Sequence, residues 1–300
     1  MIIYSNLGKR GNLGNQLFQI ASTVGIANLN NQDVGFPEWG YSDYFENELP
    51  KIDKNKYYSK LTEPSFNYNL IRLTSDNYDL NGWFQSEKYF DTSKTREQFK
   101  FKYDLENEVN KEYSYLLDNK NILISVRRGD FVNHPYYFQL SYKYYFLAIQ
   151  KFFPDWKDRN LIFTSDDIAY CKYHFSFLKN AYFLDNVHPI KQLILGSLCD
   201  DYIISNSTFS WWIAWLGEKK DSKIIRPKHN FRGDFKIKND DSDYFPERWI
   251  TFDYSQKKIS IRYSNLILKG EIYELIGNIK YNIKKYRKVT KNKIKRILGF

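Results

Sequence analysis

Arg127 and Arg128 stand side by side in the run VRRGDF, followed by Gly129, which permits a sharp turn, and by Asp130. Two adjacent guanidiniums offer planar forks of donors that stay protonated, so they suit a multiply charged phosphate; their other use is a surface ion pair with Asp130 or a neighbour. Asp166 and Asp167 follow the run LIFTS. A carboxylate there can accept from the N–H groups of a guanine edge or from ribose hydroxyls, or it can cap the helix beginning at Ile168. Asn206, Ser207, Thr208, Phe209 and Ser210 follow DYIIS and open another helix. Backbone N–H groups and hydroxyls at a helix start form an anion site without needing a cation; the plainer role of the same residues is an N-cap, with Trp211, Trp212 and Trp215 as core aromatics. A fourth group lies close to the beginning of the chain, in GNLGNQLFQIAS from Gly11 to Ser22. There a glycine-rich turn opens a helix whose first residues include Gly14, Asn15 and Gln16.

Such groups act together only if the fold gathers them. From Asn121 onward, short β-branched runs (121–126, 160–165, 181–185, 201–205 and 222–226) alternate with stretches that carry apolar residues at steps of three and four. The pattern predicts βαβ units and a parallel sheet covered on both faces. In an open parallel sheet, ligands bind in the crevice beyond the carboxyl ends of the strands. The arginine, aspartate and Asn-Ser-Thr groups all follow predicted strands, so together they describe a pocket for a nucleotide diphosphate. The N-terminal part reads as one such unit, MIIYSNL, then the glycine turn and NQLFQIASTVGIANL. The Tyr, Asn and Pro-rich region from Asp33 to Asn81 carries little periodicity. With a boundary placed between Lys100 and Lys120, the expected division is an N-terminal domain over 1–115, a second over 116–260 and a tail over 265–300.

Composition limits the rest. A chain of 300 residues with 42% hydrophobic and 19% aromatic residues buries one large core or two domains of ~100–200 residues each. The net charge of +10 invites a nucleic-acid reading, but nine of the 45 basic residues lie between Leu275 and Phe300, where no acidic residue stands. The remaining 36 face 35 acidic residues, so the body is balanced and the nucleic-acid reading is disfavoured. Cys171 and Cys199 are too few for a disulfide framework, and the four histidines, His134, His174, His188 and His229, lie far apart in the sequence. No acidic cluster has the spacing of a cation loop, so no metal ligands are assigned. The N-terminus reads as neither signal peptide nor anchor, and a cytoplasmic protein is expected.

Three motifs resemble a known family. GNLGNQLFQIA is similar to the GxLGNQxFQxA opening of the α-1,2-fucosyltransferases of glycosyltransferase family eleven, VRRGDF to their HxRRGDY, and SNSTFSWWIAWL to their NSTFSWWGAWL. GWFQSEKYF (82–90), YKYYFLAI (142–149) and FTSDDIAYCK (163–172) add lesser matches in family order. The resemblance implies an α/β, GT-B-like enzyme of two Rossmann-like domains facing a cleft. It implies transfer of fucose from GDP-fucose, with inversion and without a required metal, to a hydroxyl of a bacterial surface glycan such as O-antigen or capsule. A related GDP-sugar transferase with another linkage or a protein acceptor is the alternative. The C-terminal half would hold the donor, and the turn from Gly11 to Gln16 would face it, so that Asn15 and Gln16 reach the donor phosphate or the reacting oxygen. Three departures stand out: Ser125 occupies the place of the family's histidine, Phe131 that of its tyrosine, and Asn12 that of an arginine found in many relatives.

The chemistry follows from the reaction. A departing GDP gains negative charge that Arg127, Arg128 and the helix start at 206–210 must meet, and a general base must take the acceptor proton, with Asp130 and Glu87 as candidates. The tail carries Ile272, Ile276, Ile279, Ile283, Tyr286, Ile294 and Ile297 at helical steps, broken at Thr290, with lysines on the other faces. That pattern predicts a basic amphipathic helix that binds an anionic membrane surface, on the inner face of the cytoplasmic membrane where lipid-linked oligosaccharide acceptors are presented; its plainer role is a solvated helix packed on the body.

Overall fold

A computed structural model describes residues 1–74 and 76–297; the side chains of 284–286 and 288–297, and with them the expected apolar positions Tyr286, Ile294 and Ile297, lie outside the description. The chain builds two parallel sheets. The first comprises β1 (Ile2–Ile3), β2 (Val34–Gly35), β3 (Ser59–Thr62) and β4 (Tyr78–Asn81) in the order β2-β1-β4-β3, with α1 (Leu13–Leu29) crossing from β1 to β2. Helices α2 (Thr92–Gln98), α3 (Tyr103–Glu112) and α4 (Ser114–Leu117) lead to the second sheet.

The second sheet contains β5 (Asn121–Val126), β6 (Asn160–Ser165), β7 (Ala181–Phe183), β8 (Asp201–Ile204), β9 (Ile224–Pro227) and β10 (Ile250–Phe252). Between them run α5 (Tyr142–Phe152), α6 (Ile168–Phe175), α7 (Pro189–Leu198), α8 (Thr208–Gly217) and α9 (Gly233–Lys238), and α10 (Ser264–Ile297) closes the chain. Every residue of β5 is buried, as a strand covered on both faces requires. The strand order β10-β9-β8-β5-β6-β7 is that of a doubly wound sheet, and the order reverses between β5 and β8. A crevice opens there beyond the strand ends.

The two sheets share one aromatic core. Phe18 of α1 lies 4.6 Å from the Trp211 ring and 5.0 Å from the Trp212 ring of α8, and Phe90 stacks on Trp212 at 5.8 Å. The helices can approach because Gly14 faces α8: a Cβ there would sit 2.5 Å from the Thr208 carbonyl carbon and overlap the Phe209 nitrogen. The two glycines of the opening motif therefore do different work. Gly11, at φ +81°, allows the left-handed turn before α1, and Gly14 lets the starts of α1 and α8 meet.

At the other end, the first turns of α10 dock on the body. Leu266 is buried, the Tyr142 ring fills the space beside Gly270, and Tyr273 lies 5.3 Å from Tyr170 and 5.2 Å from His174. His174 is buried with both ring nitrogens unpartnered, and burial lowers its pKa to about 4, which keeps it neutral among these rings.

Candidate active site

A cavity of about 430 Å³ lies beyond the ends of β5, β6 and β8, closed from the opposite side by the start of α1 together with Trp83 and Gln85. Two helix starts open into it. Asn12 precedes α1 without a side-chain cap bond, and Ser207 precedes α8 with its Oγ accepting from Phe209 N at 3.2 Å. Neither helix carries an acidic residue in its first turn. Their positive ends are therefore left uncompensated by their own side chains, a setting for an anion.

Arg127 supplies the fixed charge. It leaves β5 into the cavity, its Nη2 donates to Asp130 Oδ1 at 2.6 Å, and its Nη1 lies 3.1 Å from Asp166 Oδ2. Asp166 Oδ1 accepts from the Arg128 backbone N–H at 2.8 Å, so one carboxylate holds both the turn and the guanidinium that leaves it. A Cβ at Gly129 would overlap Asp166 Oδ2, so a side chain there would push this carboxylate from its place. Asp166, expected as a reader of a guanine edge, lines the cavity, and its two oxygens also hold the turn that carries Arg127 and Arg128.

Three expectations are corrected. Arg128 does not line the cavity: its side chain is 6% exposed, packs over the Tyr170 ring at 4.1 Å and points into the core. Successive residues leaving a strand point to opposite sides, so only one of two adjacent arginines can face the ligand. Glu87 lies outside the cavity lining, where its carboxylate accepts from Trp215 Nε1 at 3.1 Å and from Arg248 Nη1 at 2.7 Å. It joins the segment after Gln85 to α8, away from the cavity. Asp167 takes its alternative role, capping α6 by accepting from Tyr170 N at 3.1 Å.

Gln16 also turns inward. Its Nε2 donates to Gly11 O at 2.9 Å and its Oε1 accepts from Trp39 Nε1 at 2.8 Å, so it braces the glycine turn. Gly14 and Asn15 do line the cavity, and Gln85 Nε2 donates to Asn15 Oδ1 at 2.8 Å, which leaves the Asn15 amide NH₂ as the group available to a ligand. Asn206, Ser207, Thr208, Phe209 and Ser210 all line it as well. Asn206 donates to the Phe138 and Asn230 carbonyls at 3.1 and 2.8 Å, and Ser210 Oγ lies 2.7 Å from both Ser125 Oγ and Ser205 Oγ. Ser125, where the resembling family has histidine, thus joins a buried hydroxyl cluster at the cavity floor.

The sequence reading missed the aromatic walls. Tyr41, Phe66 and Trp83 line the cavity from the N-terminal side, and Phe131, Tyr137 and Tyr244 from the other. Phe131 and Tyr137 stack at 4.2 Å beside Arg127. The motif GWFQSEKYF held the available signal for Trp83 and Gln85. Behind that motif Glu63 accepts from the backbone N–H groups of Trp83 at 2.6 Å and Phe84 at 2.8 Å, which holds Phe84 at φ +49°. Burial raises the Glu63 pKa to about 7 against these two bonds and the nearby Arg10. Among the described residues, no three His, Cys, Asp or Glu side chains gather as a metal-holding group.

Comparison with known proteins gives the chain's family and fold. The sequence profile of glycosyl transferase family 11 matches residues 40–253. The chain is 28% identical over 198 residues to the O-antigen biosynthesis glycosyltransferase WbnK of Escherichia coli, spanning 62% of this chain and 66% of that protein. It is 27% identical over 287 residues to an α-1,2-colitosyltransferase of the same organism, spanning 81% of this chain and 97% of that protein. Among solved structures, NodZ α-1,6-fucosyltransferase soaked with GDP-fucose superposes with a TM-score of 0.50 at 13% identity, covering 72% of this chain and 91% of that one. That likeness shows a shared GT-B-like fold.

Proposed function

The chain belongs to glycosyl transferase family 11, and from that premise we propose that it transfers fucose from GDP-fucose to a hydroxyl of a glycan, forming an α-1,2 linkage with inversion at the anomeric carbon. The observation that carries this reading is the convergence of Arg127 with the starts of α1 and α8 on one cavity. Breaking a sugar–diphosphate bond leaves charge on the diphosphate, and a forked cation with two helix starts meets that charge where it develops. With those groups in place the leaving group does not call on a metal, and we propose that none is required.

On the acceptor side, Asp130 is the cavity carboxylate placed to take a proton. Its side chain is 63% exposed and its Oδ1 is held by Arg127 Nη2 at 2.6 Å. Such a base suits proton transfer late in a transition state with oxocarbenium character. The Asn15 amide, fixed by Gln85, would donate to the leaving oxygen from the N-terminal side. We assign the acceptor to a bacterial surface glycan, O-antigen or capsule, carried on lipid at the inner face of the cytoplasmic membrane; the O-antigen and colitosyl relatives support this class. The test is a screen of nucleotide sugars against defined oligosaccharides with linkage analysis of the product. Transfer from GDP-fucose to a galactoside O2 is expected, and transfer only from a donor other than GDP-fucose would overturn the reading.

A further inference from the structure

Among the described residues, the helix α10 meets the body through one face. Leu266, Gly270 and Tyr273 fall on that face, and Glu271 on its flank binds Lys143 at 2.7 Å. At 3.6 residues per turn, Leu268, Ile272, Leu275, Ile276, Ile279 and Ile283 fall within about 100° of one another on the opposite face. All six are exposed, from 43% at Ile272 to 61% at Leu275. A surface helix buries its apolar stripe against the core. This one turns its apolar stripe away from the core.

We infer that this outer face of α10 is a docking surface for an anionic lipid bilayer. Charge selects the occupant. Lys269, Lys280 and Arg287 stand beside the stripe, and from Leu275 to Phe300 the sequence places nine basic residues and no acidic one. The acidic residues of the helix, Glu271 and Glu274, precede that span, and Glu271 is paired with Lys143. An apolar stripe flanked by cations matches the boundary between acyl chains and anionic headgroups, and it sets like charges against a second copy of the same helix. Among the described residues no helix is long and apolar enough to cross a membrane, so α10 lies along the surface and the opposite face holds the body against it. This inference rests on the membrane location in the reading above and not on the chemistry of the cavity.

The test uses the full chain, because ending it at Gly270 would remove the docked Tyr273. Leu275→Ser, Ile276→Ser and Ile279→Ser are combined in one variant, and Lys280→Glu and Arg287→Glu in another. Each is compared with the parent by sedimentation with vesicles of phosphatidylglycerol and phosphatidylcholine, and with vesicles of phosphatidylcholine alone. The parent is expected to bind the anionic vesicles, less so as salt rises. Both variants should lose about tenfold or more in partition, with the melting temperature unchanged. Equal binding by parent and serine variant, no binding of the parent to anionic vesicles, or equal binding to neutral and anionic vesicles would overturn the inference. So would a parent that elutes as an oligomer and a serine variant that elutes as a monomer, since the face would then belong to a second copy.

Discussion

Asp166 Oδ2 lies 3.1 Å from Arg127 Nη1 while its other oxygen accepts from the Arg128 backbone N–H. The carboxylate thus aims the one arginine of the pair that reaches the cavity. Asp166→Asn should weaken GDP binding and lower turnover by about tenfold to a hundredfold, the range of a lost charge-assisted bond. The preference for GDP over UDP or ADP should stay as it is. Competition binding with the three diphosphates checks this, and a relaxed preference would return the residue to a base-reading role.

Glu87→Gln separates a structural carboxylate from a catalytic one. The bonds from Trp215 and Arg248 tie Glu87 to α8 and to the segment before β10. Loss of the charge should cost about 1 kcal/mol of stability, since Arg248 is partly exposed and keeps Glu218 as a partner. Turnover should stay within about threefold of the parent. Initial rates and denaturant midpoints measured together decide it, and a hundredfold slower enzyme of normal stability would restore Glu87 as a base.

Gly14→Ala probes the meeting of the two helix starts. The added methyl has no room against Thr208 and Phe209, so α1 and α8 must separate. A destabilisation of about 1–3 kcal/mol is expected, with a loss of turnover greater than stability alone explains. A variant as stable and as fast as the parent would show that the close approach is dispensable.

How these residues were read differs by element, for physical reasons. β5 and β6 were legible to the residue because each carries a buried apolar stretch, ILI and LIF, bounded by turn signals, as was α6. Of the first sheet only β1 was legible, since β2 is two residues long and β3 is mostly exposed, too short or too wet to leave a period. At the site, the type of residue was legible and its direction was not. Arg127 and Arg128 have the same chemistry in the sequence, and only the pleat of the strand sends one to the cavity and the other to Tyr170.

Glu63 gives the pH dependence of the acceptor-side wall. Its pKa in the folded state is raised to about 7 from 4.5, so the folded state holds a proton that the unfolded chain releases. The contribution to stability is complete below the unfolded value and is lost as pH rises through the folded one. Between pH 5 and pH 8 the parent should therefore lose about 1–3 kcal/mol relative to Glu63→Gln. Denaturant unfolding of both proteins at the two values measures this, and parallel pH profiles would show that Glu63 does not titrate there.

Turnover should persist in excess EDTA, because Arg127 and the two helix starts carry the leaving-group charge. Activity lost to the chelator and regained with Mg²⁺ or Mn²⁺ would show that a cation shares that task.

The central claim is that Arg127 receives the departing diphosphate. Single-turnover transfer of labelled fucose from saturating GDP-fucose, compared between the parent and Arg127→Ala, tests it most directly. The account predicts product from the parent and a rate about a hundredfold lower or less in the variant, with the fold intact. A variant that transfers fucose as fast as the parent would contradict it.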